Sequence, residues 1–255
     1  ESVVRQYDHE VQGGSVIKPL TGAANDGPSD AAVIRPLLDT FAGIVVANGI
    51  CPRYSDIDAY DMAACAIDEA VRNAVAVGAD LDHLAGLDNF CWCDPVQSEK
   101  TPDGEYKLAQ LVRANQAVYD YTTAYGVPCI SGKDSMKNDY AIEGTKISIP
   151  PTLLFSVIGR MADVRRAVTM DAKRAGDIVY VLGETKNELG ASEWYALHGC
   201  VGDNCPRVDA VAAKRLYAAL HRAIAAGLVA SCHDCSDGGL GAALAETAFA
   251  GGLGM

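Results

Sequence analysis

Two stretches of the sequence put carboxylates where they could hold a cation. The first is residues 58–78, DAYDMAACAIDEAVRNAVAVG. At about 100° per residue, Glu69 and Asn73 lie one turn apart on a face shared with Met62, Cys65, Ala66 and Ala76. A carboxylate and a carboxamide on an apolar face cost several kcal/mol unless something pairs with them. Side-chain oxygens four residues apart grip a hard cation such as Mg²⁺ well. The same pair could instead hydrogen-bond loop backbone, and the spacing suits both readings equally. Asp61, Asp68 and Arg72 form a separate polar strip, with Asp68 and Arg72 paired at i, i+4.

The second stretch is residues 229–252, VASCHDCSDGGLGAALAETAFAGG. A short strand over 228–232, an acidic turn and a glycine-opened helix make a site for an oxyanion or a metal-bound phosphate. Asp234 and Ser236 sit on that turn, Asp237 can cap the helix, and Gly238 and Gly239 let backbone approach a ligand. The turn is more acidic than a cap requires. His233 reads as structural before it reads as a general base.

A third stretch, GVPCISGKDSMKNDY at 126–140, nearly spells a phosphate loop. The P-loop pattern needs glycine five residues before Gly132 and Ser or Thr after Lys133. Val127 and Asp134 stand there. Any phosphate contact from Lys133 must come by another design. LDNFCWCDP places Asp88 and Asn89 near a strand end, where α/β folds collect ligands, with Phe90 and Trp92 as core. Asp30, ahead of an apolar stretch, reads alone as a loop aspartate.

The elements that must carry these residues alternate. Strands are expected at 3–11, 43–47, 84–92, 127–131 and 145–160, the last broken by Pro150-Pro151. Helices are expected at 58–77 and 105–125. A polar stretch over 162–176 reads as a linker between domains at 1–165 and 166–255. Beyond it come a strand from Ile178 (IVYVLG), helices at 189–198, 208–226 and 239–250, and the strand at 228–232. The class is α/β (α+β): a mixed sheet flanked by helices, then a second α/β domain that reads as truncated.

Composition narrows the function. The 255 residues are 49% hydrophobic and 21% charged, ordinary for a globular chain. No apolar run reaches the ~18 residues of a membrane span. Net charge is −12 without a basic cluster, which argues against nucleic acid. An acidic protein can still bind an anionic nucleotide through metal ions. Nine scattered cysteines fit a reduced, cytoplasmic protein and not a disulfide framework. Cys232-His-Asp-Cys235 lacks a second pair for zinc and the context of a redox site, so a zinc or redox module is the weaker reading.

The segments YDHEVQGGSVIKPL, DAYDMAACAIDEAVRNAVAVGAD, LDNFCW, ISGKDSM, PPTLL and HDCSDGGLGAALAETAFAGGLGM together resemble the phosphoribosylformylglycinamidine synthases. These belong to the aminoimidazole-ribonucleotide-synthetase-like ATP-binding superfamily. The resemblance covers nearly the whole chain and points to part of the second of two homologous halves. It implies a parent ligase of purine biosynthesis. Formylglycinamide ribonucleotide, glutamine and ATP would give formylglycinamidine ribonucleotide, ADP, phosphate and glutamate. It implies N-terminal sheets paired into a barrel-like core, and a structural Mg²⁺–nucleotide site (ATP or ADP) on this half.

By the same resemblance, Asp30, Glu69, Asn73 and Asp234 match magnesium positions, and Ser236, Asp234 and Lys133 match nucleotide or phosphate contacts. No catalytic residue is implied here, since the matching histidine belongs to the other half. Implied partners are the nucleotide, the ribonucleotide substrate, the first half of the synthetase and a glutaminase. A homodimer through the N-terminal sheet is the alternative for an isolated fragment. Competing readings are a nucleotide-binding structural module without turnover, and a superfamily relative with another acceptor.

Overall fold

The structure is a computed structural model that describes residues 12–255. The strand expected at 3–11 lies outside the described residues. The chain runs through β1 (Ser15–Ile17), the hairpin β2 (Leu20–Thr21) and β3 (Gly27–Pro28), β4 (Ala32–Ile34) and β5 (Gly43–Ile50). Next come α1 (Ala59–Ala76), β6 (Leu84–Cys91), α2 (Gly104–Tyr125) and β7 (Cys129–Ser135). The hairpin β8 (Asp139–Ile142) and β9 (Thr145–Ser148) leads into β10 (Thr152–Met161). The remainder carries α3 (Glu193–Leu197), α4 (Ala210–Ala225) and α5 (Gly239–Gly251).

Six strands form one open sheet in the order β1-β4-β5-β10-β6-β7. Every neighbouring pair is antiparallel except β6 and β7, which run parallel across the long α2 connection. α1 lies on β5 and β10, and α2 and α4 lie on α1. Two local signals bound the helices. Asp58 caps α1 by accepting from Tyr60 N–H at 2.7 Å. Gly126, at φ 75°, closes α2 by donating to the Thr122 and Thr123 carbonyls.

β5 alternates, as a strand covered on one face must. Val45 and Ala47 are buried under α1, while Val46 and Ile50 are exposed on the other face. At Gly49 the helix rides directly on the strand. A Cβ there would lie 2.1 Å from the Ala66 carbonyl oxygen and 2.7 Å from Ala70 N. The core between sheet and helices is filled by Leu153, Phe155, Val157, Met62, Ile67, Val71 and Trp92. Burying such a side chain contributes roughly 1.5–3 kcal/mol. Trp92 also satisfies its indole N–H on the Lys107 carbonyl at 3.1 Å. Among the described residues no helix covers the opposite face, where Ile34, Val46, Ile50 and Ile158 stand exposed across β4, β5 and β10.

The four longer helices match the expected spans to within two residues at each end, and Pro150-Pro151 divides β9 from β10. The expected helix at 189–198 contracts to α3. Neither 178–183 nor 228–232 forms a strand. Ile178, Tyr180 and Leu228 are each at least three-quarters exposed. A strand exists only by pairing, and among the described residues nothing pairs with these segments. β1 to β4 and β8 are strands that the sequence pattern did not mark. They are two to four residues long, below the length at which alternation is visible.

Candidate functional site

The site begins where β4 stops. β4 pairs with β5 from Ile34–Ile44 to Ala32–Val46. Among the described residues no strand lies beside the β5 edge beyond Val46, and two side chains of α1 continue the ladder. Glu69 Oε2 accepts from Ile50 N–H at 2.8 Å, and Asn73 Nδ2 donates to the Asn48 carbonyl at 3.1 Å. Cys51 Sγ lies 3.5 Å from the same Glu69 oxygen. The pair thus bonds backbone, though on strand β5 and not on a loop, and one side-chain oxygen is left over. Asn73 Oδ1 is buried with no hydrogen-bond partner. Burial pushes the Glu69 carboxyl above its usual range against the pull of the Ile50 N–H.

Asp30 lies between β3 and β4, with its side chain 1% exposed. Its Oδ1 accepts from Asp234 N–H at 2.9 Å and sits 2.7 Å from His233 Nδ1. Its Oδ2 is buried and has no partner. His233 Nε2 lies 3.0 Å from Glu246 Oε2 on α5. Burial works against a charge on this imidazole, but Asp30 and Glu246 outweigh it and raise its pKa to about 9. Asp30, His233 and Asp234 offer donor atoms that all lie within 4.8 Å of one another.

Packing at the far end of α5 sets this turn over Asp30. The Ala250 carbonyl accepts from Ala23 N–H at 2.8 Å, and a Cβ on Gly27 would fall 2.5 Å from the Ala250 methyl. Only glycine lets α5 come that close to the β2–β3 hairpin. Cys232 N–H is tied to the Thr169 carbonyl at 3.3 Å.

Arg72 ties the 233–238 turn to α1. Its Nε and Nη2 donate to Asp234 Oδ2 at 3.3 and 3.1 Å, and its Nη1 donates to Asp68. Asp68 is buried and also accepts from the hydroxyls of Tyr125, at the end of α2, and Tyr217, on α4. Burial opposes the Arg72 charge, yet Asp68 leads a set of anionic neighbours that hold its pKa well above the usual value. Burial raises the Asp234 carboxyl, Arg72 lowers it and Asp30 raises it again, for a net rise.

Asp30 and Asp234 each have one oxygen engaged by the protein. The buried oxygens left over, Asp30 Oδ2 and Asn73 Oδ1, are hard ligands without a proton donor nearby. The carboxylate oxygens of the Asp30–Asp234 cluster suit a small oxygen-seeking divalent cation such as Mg²⁺ or Mn²⁺. They do not suit zinc bound by thiols, since no cysteine joins such a cluster among the described residues. Burial instead pushes the Cys232 thiol up to about 12. With a cation in place the arrangement could hold an anionic ligand beside Ser236, which is exposed at the start of α5.

Of the residues picked from sequence, Asp30 and Asp234 meet directly, and Glu69 and Asn73 stand on the adjoining β5 edge. Ser236 is two residues from Asp234. Lys133 is not brought there. It is exposed on β7, level with Asn89, and β10 and β6 separate β7 from β5. Sequence reasoning passed over Arg72, Glu246 and the anchoring part of His233. The Asp68–Arg72 spacing was visible, but nothing in it says that a turn over 160 residues away will meet the arginine.

The model of the N-terminal domain of AIR synthase related proteins matches residues 28–161, and that of the C-terminal domain matches residues 174–255. A phosphoribosylformylglycinamidine synthase subunit PurL of Thermoplasma acidophilum is 32% identical over 255 residues, covering 100% of this chain and 32% of the relative. The subunit of the same name from Methanocaldococcus jannaschii is 34% identical over 258 residues, covering 100% and 33%. The chain thus spans about a third of the length of these relatives. Among solved structures, a HypE–HypF complex superposes with a TM-score of 0.59 at 18% identity, over 88% of this chain and 65% of that one. That likeness concerns the fold. No helix among the described residues is long and apolar enough to cross a membrane.

Proposed function

This chain belongs to the AIR synthase related family, and from that premise we propose that it is one part of a phosphoribosylformylglycinamidine synthase and supplies a Mg²⁺–nucleotide site to it. The parent reaction consumes formylglycinamide ribonucleotide, glutamine and ATP, and yields formylglycinamidine ribonucleotide, ADP, phosphate and glutamate. The reading draws on relatives named for that activity. The observation that carries the site is the pair of buried, unpartnered oxygens, Asp30 Oδ2 and Asn73 Oδ1, beside Asp234 and Glu69.

In this proposal Asp30, Glu69, Asn73 and Asp234 hold the cation, which neutralises charge on the nucleotide phosphates. Ser236 contacts the nucleotide at the α5 N-terminus. His233 keeps Asp30 Oδ1 occupied so that Oδ2 faces the ligand. Lys133 belongs to a phosphate contact only if another part of the polypeptide brings one to β7. The isolated chain is a cytoplasmic binding module without turnover of its own.

Calorimetric titration with Mg-ADP and Mg-ATP tests this directly, with Asp30→Asn as the control. Binding that is present in the unsubstituted chain and lost in the variant is the expected result. Equal binding by both proteins would move the site elsewhere, and no binding by either would end the proposal for this chain.

The uncovered face of Ile34, Val46, Ile50 and Ile158 supports a second element of the reading. It packs against the sheet of the first half of the synthetase, or against a second copy when this chain is alone. Light scattering across concentration should show self-association. A monomer throughout would count against it.

A further inference from the structure

We infer that Arg72 is a positioning residue for the cation site, and that Asp68, Tyr125 and Tyr217 form the mount that holds it. The inference rests on the cation-site reading above. The geometry is that of a two-ended clamp. One guanidinium reaches Asp68 through Nη1 and Asp234 Oδ2 through Nε and Nη2. Its anchored end is overdetermined: Asp68 is buried and receives two tyrosine hydroxyls, from α2 and α4, besides the arginine. Its other end grips a single oxygen of Asp234 on an otherwise exposed turn, where Cys235, Ser236 and Asp237 all face solvent.

The consequence concerns orientation. Asp234 carries a negative charge next to Asp30, and only the backbone N–H of Asp234 bridges the two residues. Left alone, the two carboxylates would swing apart. Arg72 holds Oδ2 of Asp234 and so fixes which oxygen is turned toward Asp30. The fork has two neighbouring nitrogens on one oxygen, which sets direction as well as distance. Groups that orient a metal-binding carboxylate in this way typically change metal affinity by about 10- to 100-fold when removed.

This role predicts an effect opposite in sign to simple electrostatics. A cation beside a cation site repels the metal, so deleting it should tighten binding if charge were all that mattered. Deleting a clamp should loosen it. The test is titration of the 255-residue chain with Mn²⁺ alone, read by the loss of the free-ion electron paramagnetic resonance signal, together with the thermal midpoint. Two variants are compared, Arg72→Met and Tyr217→Phe. The second removes one hydroxyl from the mount and keeps every charge, so it decides the matter if the first does not fold.

The unsubstituted chain should bind Mn²⁺, Arg72→Met should bind it about tenfold more weakly or worse, and Tyr217→Phe should shift in the same direction by less. Unchanged or tighter Mn²⁺ binding in the folded variants, with only a lowered thermal midpoint, would overturn the inference and leave the cation site standing. No Mn²⁺ binding by the unsubstituted chain would overturn the cation site and the inference with it.

Discussion

Two segments of this chain have almost the same local sequence and opposite fates. Residues 43–47 are GIVVA, and residues 178–182 are IVYVL. The first is β5, paired by β4 and β10 and covered by α1, with Val45 fully buried. The second is irregular, and Tyr180 is 76% exposed. By intrinsic preference both are strands. The difference teaches that a strand is a relation between segments, whereas a helix closes its hydrogen bonds on itself. α4 and α5 form in the same region where the strand does not.

The largest effect should come from the tightest contact on the ordered side. Gly49→Ala drives a methyl into the Ala66 and Ala70 backbone and should remove about 4 kcal/mol or more of stability in a denaturant titration. Tolerance of that methyl would mean that α1 does not ride on β5 as described. Next, Phe155→Ala empties a core position and should cost about 3–5 kcal/mol. Its counterpart across the comparison, Tyr180→Ala, should stay within about 0.5 kcal/mol. Similar losses for both would show that 178–182 is packed after all.

Hydrogen exchange sharpens the contrast without a mutation. Amides of 44–49 that face β4 or β10 should exchange only on opening of the sheet, while those of 178–182 should exchange at nearly unprotected rates.

The smallest expected effect lies at the seam between the regions. The His233 pKa is raised from 6.5 to about 9, so its contacts to Asp30 and Glu246 stabilise fully below pH 6.5. That stability fades as pH rises through about 9. Thermal midpoints of the metal-free chain should therefore decline over this window, and His233→Gln should flatten the decline. An identical slope in both proteins would assign the titration to another group.

The sequence made the helices legible because capping and periodicity are local: Asp58, Gly126 and the run from Met62 to Val75 carry α1 and α2 without outside help. It made Glu69 and Asn73 legible as a polar pair on an apolar face. It could not say what they bond, because their partners, Asn48 and Ile50, become available only where β4 ends. Asp30 was legible only through resemblance, since one aspartate before a short strand has no pattern. Arg72 and His233 needed the meeting of α1 with the 233–238 turn, which no spacing along the chain records.

The side chains that finish the β5 edge have one more consequence. An uncapped strand edge is a template for any passing extended chain, and proteins guard such edges with charge or cover. Here the guards are Glu69 and Asn73, the same residues proposed to hold the cation. In that proposal, guarding the edge and holding the cation fall to the same two positions. Replacing either with a side chain that cannot bond the backbone should leave strand hydrogen-bonding groups open to another extended chain.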